Sequence, residues 1–172
     1  MTEESGTPEC GHVGLAHPSA YVAGLAIGAV RSEIQFAEAY APAFADWVSL
    51  RRKGHLAGLR IGSDSTWATY PLNSLRLITT GNACEAVLLG HMVEGNALLD
   101  FKTWLDAIGD TGPATQAHVE SVIEGDFDKV LEYAEFSIRE NSKAAQQLAD
   151  ALAEASPRAL PYDQVAQFYY DG

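Results

Sequence analysis

The chain has 172 residues, 47% hydrophobic and 20% charged. That composition suits one folded domain with a sizeable core and excludes disordered, collagenous and fibrous classes. Acidic residues outnumber basic ones, 23 to 11, for a formal charge of −12, which disfavours a nucleic-acid binder and favours partners with a basic surface. Two cysteines, Cys10 and Cys84, are too few for a disulfide scaffold and point to a reducing, cytoplasmic setting.

Residues 1–18 read as a loosely ordered arm ahead of a single α-helical domain, 19–172. The arm begins with Glu3, Glu4 and Glu9 and no Lys or Arg, so no secretory signal is expected. Pro18 and Ser19 are start signals for a helix over 20–40. The uncharged run 13–30 holds only one uninterrupted apolar stretch, Ala20 to Val30. That is about half of the ~20 residues a membrane span needs, so a buried helix is expected. Its apolar residues lie on more than one face, which predicts a central helix. Gly24 and Gly28, four apart, predict close contact with another helix. Pro42 should end the helix after Tyr40.

A second helix over 43–53 carries Phe44, Trp47, Val48 and Leu50. It stops on Arg51, Arg52, Lys53 and Gly54, favourable chemistry for a C-terminus. Residues 54–71 are the least helical, and strand is expected only within 54–80, where LRI and TWATY suit a small β-hairpin. Asp64, Ser65, Trp67 and Tyr70 sit there as a secondary candidate binding loop. Helical spacing returns at Leu72 and continues to Val93, interrupted by Gly81.

The clearest element lies near the C-terminus. Phe127, Val130, Leu131, Ala134, Ile138, Ala145, Leu148 and Leu152 recur at helical steps, while Glu132, Glu135, Arg139, Glu140, Lys143 and Asp150 occupy the other face. The pattern predicts a helix of about 28 residues closed by Pro157, a Glu135–Arg139 pair, and a docked tail from Leu160 to Tyr170. All told, an all-α domain of about six helices is expected.

Two segments 30 residues apart resemble each other: 93–108, VEGNALLDFKTWLDAI, and 123–138, IEGDFDKVLEYAEFSI. Each turns at a glycine, Gly95 or Gly125, followed by Asn96 or Asp126 as a helix cap. The spacing predicts helical hairpins stacked in the C-terminal half. Over 83–140 the chain resembles tetratricopeptide-type repeats at the turn and at the later small residue, Ala107 and Ser137. It departs from that family at Val87 and Leu88, at Ala117 and His118, and at Asp100 and Val130. The resemblance implies a surface that binds a protein or peptide, without chemistry of its own.

Catalytic motifs are missing. No P-loop, dinucleotide fingerprint, nucleophile elbow or HExxH occurs. His91 and Glu94, four positions of one helical turn, are the alternative metal or cofactor pair for an enzyme or sensor of the helical-bundle kind. Cys10, His12 and His17 could supply three of the four ligands of a structural zinc. Neither set is complete, so no cofactor is expected.

Charge is more informative. Residues 1–93 hold 8 acidic and 6 basic side chains; residues 94–172 hold 15 and 5. Glu120, Glu124, Asp126, Asp128, Glu132 and Glu135 make the expected partner-binding face. Arg51, Arg52, Lys53 and Arg60 form a smaller basic cluster. The expectation is a non-catalytic acidic binding protein, such as an inhibitor or a toxin-neutralising immunity protein. A homodimer is compatible with the same reading.

Overall fold

The computed structural model describes residues 11–52, 58–60, 71–90 and 129–171. These form six helices and a three-stranded sheet: α1 (Gly11–Arg31), β1 (Glu38–Ala39), α2 (Phe44–Arg52), β2 (Leu59–Arg60), α3 (Pro71–Leu89), α4 (129–140), α5 (Ser142–Ala155), β3 (Leu160–Pro161) and α6 (Tyr162–Asp171). The expected all-α class holds, with its small sheet.

Helices α1 and α3 make the most extensive helix contact among the described elements. Every α1 residue from Pro18 to Val30 is buried, and so is every α3 residue from Leu77 to Glu85. The two axes approach closely because small residues face each other. A Cβ at Gly24 would lie 2.5 Å from the Thr80 carbonyl oxygen and 2.7 Å from the Gly81 Cα, so only glycine fits there. Gly81, which the sequence reading treated as an interruption, is the floor on which the side chains of Tyr21 and Leu25 rest. The glycine spacing in α1 thus does serve helix contact in the core.

Both ends of α1 correct the expectation. The helix begins at Gly11, so residues 11–18 of the expected arm are helical and Pro18 lies inside the helix, where it removes one backbone donor. It stops at Arg31 rather than Tyr40. Glu33 takes φ +57°, the Ile34 N–H reaches the Ala29 carbonyl at 2.8 Å, and the Glu33 N–H reaches that of Val30 at 3.0 Å. These two bonds form a Schellman stop with glutamate where glycine is usual. Burial of Ile34 and Phe36 holds the chain in that turn, and the stop left no proline or glycine in the sequence to mark it.

After this turn β1 pairs antiparallel with β2 on one side and with β3 on the other. Strand does occur at Leu59–Arg60, inside the expected window, but its partner is Glu38–Ala39, and the third strand comes from the C-terminal tail. The TWATY segment lies outside the described residues. The tail is docked as expected: the Phe36 and Tyr162 rings meet edge to face at 4.9 Å, and Val165 is buried. α2 matches its expected bounds closely, and its Trp47 packs at 5.9 Å from Tyr21.

The expected 28-residue helix is bent into α4 and α5 at Asn141, whose backbone has φ −120° and ψ 27°. The Asn141 side-chain amide donates to the Ser137 carbonyl at 2.8 Å and competes there with the residue's own N–H, at 3.1 Å, a local diversion typical of asparagine. Leu131, Ala134, Ile138, Ala145, Leu148 and Leu152 are buried as the spacing predicted.

Candidate partner-binding face

α4 has two unlike sides. Leu131, Ala134, Ser137 and Ile138 turn inward, and the Ser137 hydroxyl is buried with no hydrogen-bond partner among the described residues. Lys129, Glu132, Tyr133, Phe136, Arg139 and Glu140 are exposed. Two of these are large aromatics: Tyr133 is 55% and Phe136 60% exposed. Three residues apart on a helix, their side chains are neighbours.

Tyr133 is also held in place. The Arg31 guanidinium, from the last turn of α1, lies 4.5 Å from the centre of its ring and donates to its hydroxyl. A cation over an aromatic face is attracted by the ring quadrupole, so Arg31 orients the ring while the residue stays exposed. Beside it, Arg139 and Glu135 pair at 3.4 Å, as the i,i+4 spacing predicted. That pair sets a cation beside Glu135, and Glu132 remains as an exposed carboxylate.

Of the six expected acidic docking residues, Glu132 and Glu135 are therefore brought together on α4. Glu120, Glu124, Asp126 and Asp128 lie outside the described residues, as do Asp64, Ser65, Trp67, Tyr70, His91, Glu94 and Cys10. His12 and His17 fall on the backbone of α1. The acidic excess is uneven: residues 129–171 carry 7 acidic and 4 basic side chains, residues 94–128 carry 8 and 1. The expected acidic surface thus rests mainly on 94–128, and the outward face of α4 is nearly balanced.

Of the basic cluster, Arg60 is the member whose side chain is described. Its guanidinium pairs with Glu38 across the β1–β2 ladder and lies 4.3 Å from the Tyr40 ring centre. The hydrogen bond from Arg60 to Glu38 raises the guanidinium pKa further above its ordinary value. This arginine braces the sheet.

A polar belt lines the interior: Ser19 on α1, and Thr79, Thr80, Asn82 and Glu85 on α3, all buried. None of the five lacks a partner; Asn82, for one, donates to the Ile78 carbonyl at 3.0 Å. Cys84 beside them is buried, and burial, with a smaller contribution from Glu85, pushes its thiol far above the ordinary range. A thiol so shifted stays protonated and is a poor nucleophile. No group of three or more metal-ligating side chains occurs among the described residues, and no helix among them is long and apolar enough to cross a membrane.

Sequence reading missed Tyr133 and Phe136 because it sorted α4 into an apolar stripe and a charged face. Placing each aromatic by angle would have found them: both fall off the Leu131–Ala134–Ile138 stripe. Arg31 lies 102 positions from Tyr133 and carries no such signal. Compared with models of protein families, with curated proteins and with solved structures, the chain matches none.

Proposed function

We propose that this protein is a non-catalytic binding protein and that the outward face of α4, centred on Tyr133 and Phe136, is a contact surface for a protein partner. The observation that carries this reading is the pair of adjacent exposed aromatics, one of them already immobilised by Arg31. Aromatic anchors dominate binding energy at protein interfaces, and a side chain ordered before binding loses less entropy on association. The charge of −12 acts at longer range and draws a partner with a basic surface, through Glu132 and the acidic residues of 94–128. Inhibition, or neutralisation of a basic toxin as an immunity protein, is the kind of role this combination serves.

The test compares the wild-type chain with a Tyr133→Ala/Phe136→Ala variant and a Glu132→Gln/Glu135→Gln variant as immobilised baits in extract of the native host. The expected result is a protein retained by the wild type, lost with the aromatic variant, and bound more slowly by the charge variant at low salt. An identical set of retained proteins on all three baits would overturn the proposal.

A further inference from the structure

The exposed stripe of α4 has an order that the docking proposal does not use. Along the helix it reads Lys129, Tyr133, Phe136, Glu140: cation, aromatic, aromatic, anion. At ~100° per residue these four fall within an arc of about 60°. Lys129 and Glu140 are equidistant from the point between Ala134 and Glu135, and so are Tyr133 and Phe136. A two-fold axis through that point, perpendicular to the helix, places every member of the stripe opposite its complement. Lys129 meets Glu140 of the second copy, Tyr133 meets Phe136 of the second copy, and both contacts are made twice.

We infer that the occupant of this stripe is a second copy of the same chain, packed antiparallel along α4. This rests on the reading of α4 as a contact surface and names what sits on it. Symmetric contacts between identical chains use one patch twice and require it to be self-complementary, and this stripe meets that requirement in both charge and ring placement. A parallel arrangement would set Lys129 against its own copy and Glu140 against its own copy, so the charges also select orientation. On this nearly balanced face a purely basic partner would gain Glu132 and Glu140 but meet Lys129, whereas a second copy carries the matching balance. Arg31 adds preorganisation, because the Tyr133 ring is already oriented in the single chain.

The twelve described residues of α4 span ~18 Å. A contact over that described stretch covers less than the ~800 Å² per partner of a standard interface, so the dimer it forms is weak and concentration-dependent. A partner that needs Phe136 would compete with it. Salt separates the two associations. Two chains of −12 repel at long range, and screening shortens from ~30 Å at 0.01 M to ~8 Å at 0.15 M ionic strength. Self-pairing tightens over that interval, while binding of a basic protein weakens.

Sedimentation velocity on the purified full chain over a concentration series tests this with wild type, Lys129→Glu, Glu140→Lys, the double exchange Lys129→Glu/Glu140→Lys, and Phe136→Ala. Circular dichroism melts confirm folding, and Lys129→Gln and Glu140→Gln replace any reversal that melts early. Wild type should dimerise and do so more tightly at 0.15 M than at 0.01 M ionic strength. Each single reversal should weaken the dimer about tenfold, since symmetry breaks two pairs at once. Phe136→Ala should weaken it at least as much, and the double exchange should restore it. A wild type that stays monomeric, a dimer indifferent to these substitutions, or a double exchange that fails to recover would each overturn the inference. If the chain is monomeric while capture of another protein still requires Tyr133 and Phe136, self-pairing falls and the docking proposal stands.

Discussion

In the α1–α3 pair Gly24, Gly28, Thr80, Gly81 and Cys84 lie at the contact, and burial extends around both helices over residues 18–30 and 77–85. In α4 and α5 the buried side chains are leucine, isoleucine, alanine and one serine, Ser137, on one side, and the other side carries charges and two exposed aromatics. The first region is stabilised by close approach of backbones, where dispersion contacts are dense. The second is stabilised by removing large apolar side chains from water along one stripe. Where burial surrounds them, over residues 18–30 and 77–85, α1 and α3 present no surface to a partner. One-sided burial leaves a surface that can differ from the core without affecting it.

The comparison breaks most readily on α5. Leu148→Ala deletes a fully buried side chain and should cost about 2–5 kcal/mol in chemical unfolding. Phe136→Ala on the outward face of α4 should change stability by less than about 0.5 kcal/mol. Equal losses for the two would mean that Phe136 belongs to the core.

The central pair should respond to addition instead of deletion. Gly24→Ala introduces a Cβ where backbone atoms already lie within 2.7 Å. The expected cost is about 1–3 kcal/mol, although alanine is the better helix former by about 1 kcal/mol. At Gly28 the nearest atoms are 3.1 Å away on the Thr80 side chain, so Gly28→Ala should be milder. A thermal midpoint that rises for Gly24→Ala would show that the helices separate without penalty.

Cys84 gives the comparison a pH signature. Burial raises its pKa in the folded chain, so above the unfolded value of about 8.5 the unfolded state loses a proton that the folded state keeps. Its contribution is therefore fully present below that pH and declines above it, by at most about 1.4 kcal/mol per pH unit. Denaturant unfolding between neutral pH and about pH 10 should show this decline in wild type and less of it in Cys84→Ala. Parallel pH profiles for the two proteins would contradict the buried placement of the thiol.

The smallest effect belongs to the turn that separates the central pair from the sheet. Glu33→Gly relieves the positive φ and should stabilise by about 0.5–1 kcal/mol, read as a raised midpoint. A loss would mean that the glutamate side chain contributes more than its backbone costs.

Much of this architecture was legible from local pattern. The stripe Leu131–Ala134–Ile138–Leu148–Leu152, the Glu135–Arg139 pair, the bounds of α2 and the glycine spacing of α1 follow from helical periodicity and end chemistry, which act over a few residues. The stop at Arg31 and the bend at Asn141 were not legible, since each depends on packing or on one side-chain amide choosing a nearby carbonyl. At the candidate site, Glu132 and Glu135 were anticipated for their charge. Tyr133 and Phe136 belong to neither the apolar stripe nor the charged set, so a two-way sorting of the helix left them unassigned.

By itself, the sequence determined the helical class, the central place of α1 and the two-sided character of α4, because hydrophobic spacing acts within a single element and needs no partner to be read. Only the tertiary structure decided which strands pair, bringing Glu38–Ala39 between Leu59–Arg60 and Leu160–Pro161. It alone carried Arg31 across 102 positions to the ring of Tyr133. Contacts of this kind join residues far apart in the chain, and their geometry is set by how whole helices pack, a property that no local stretch of sequence contains.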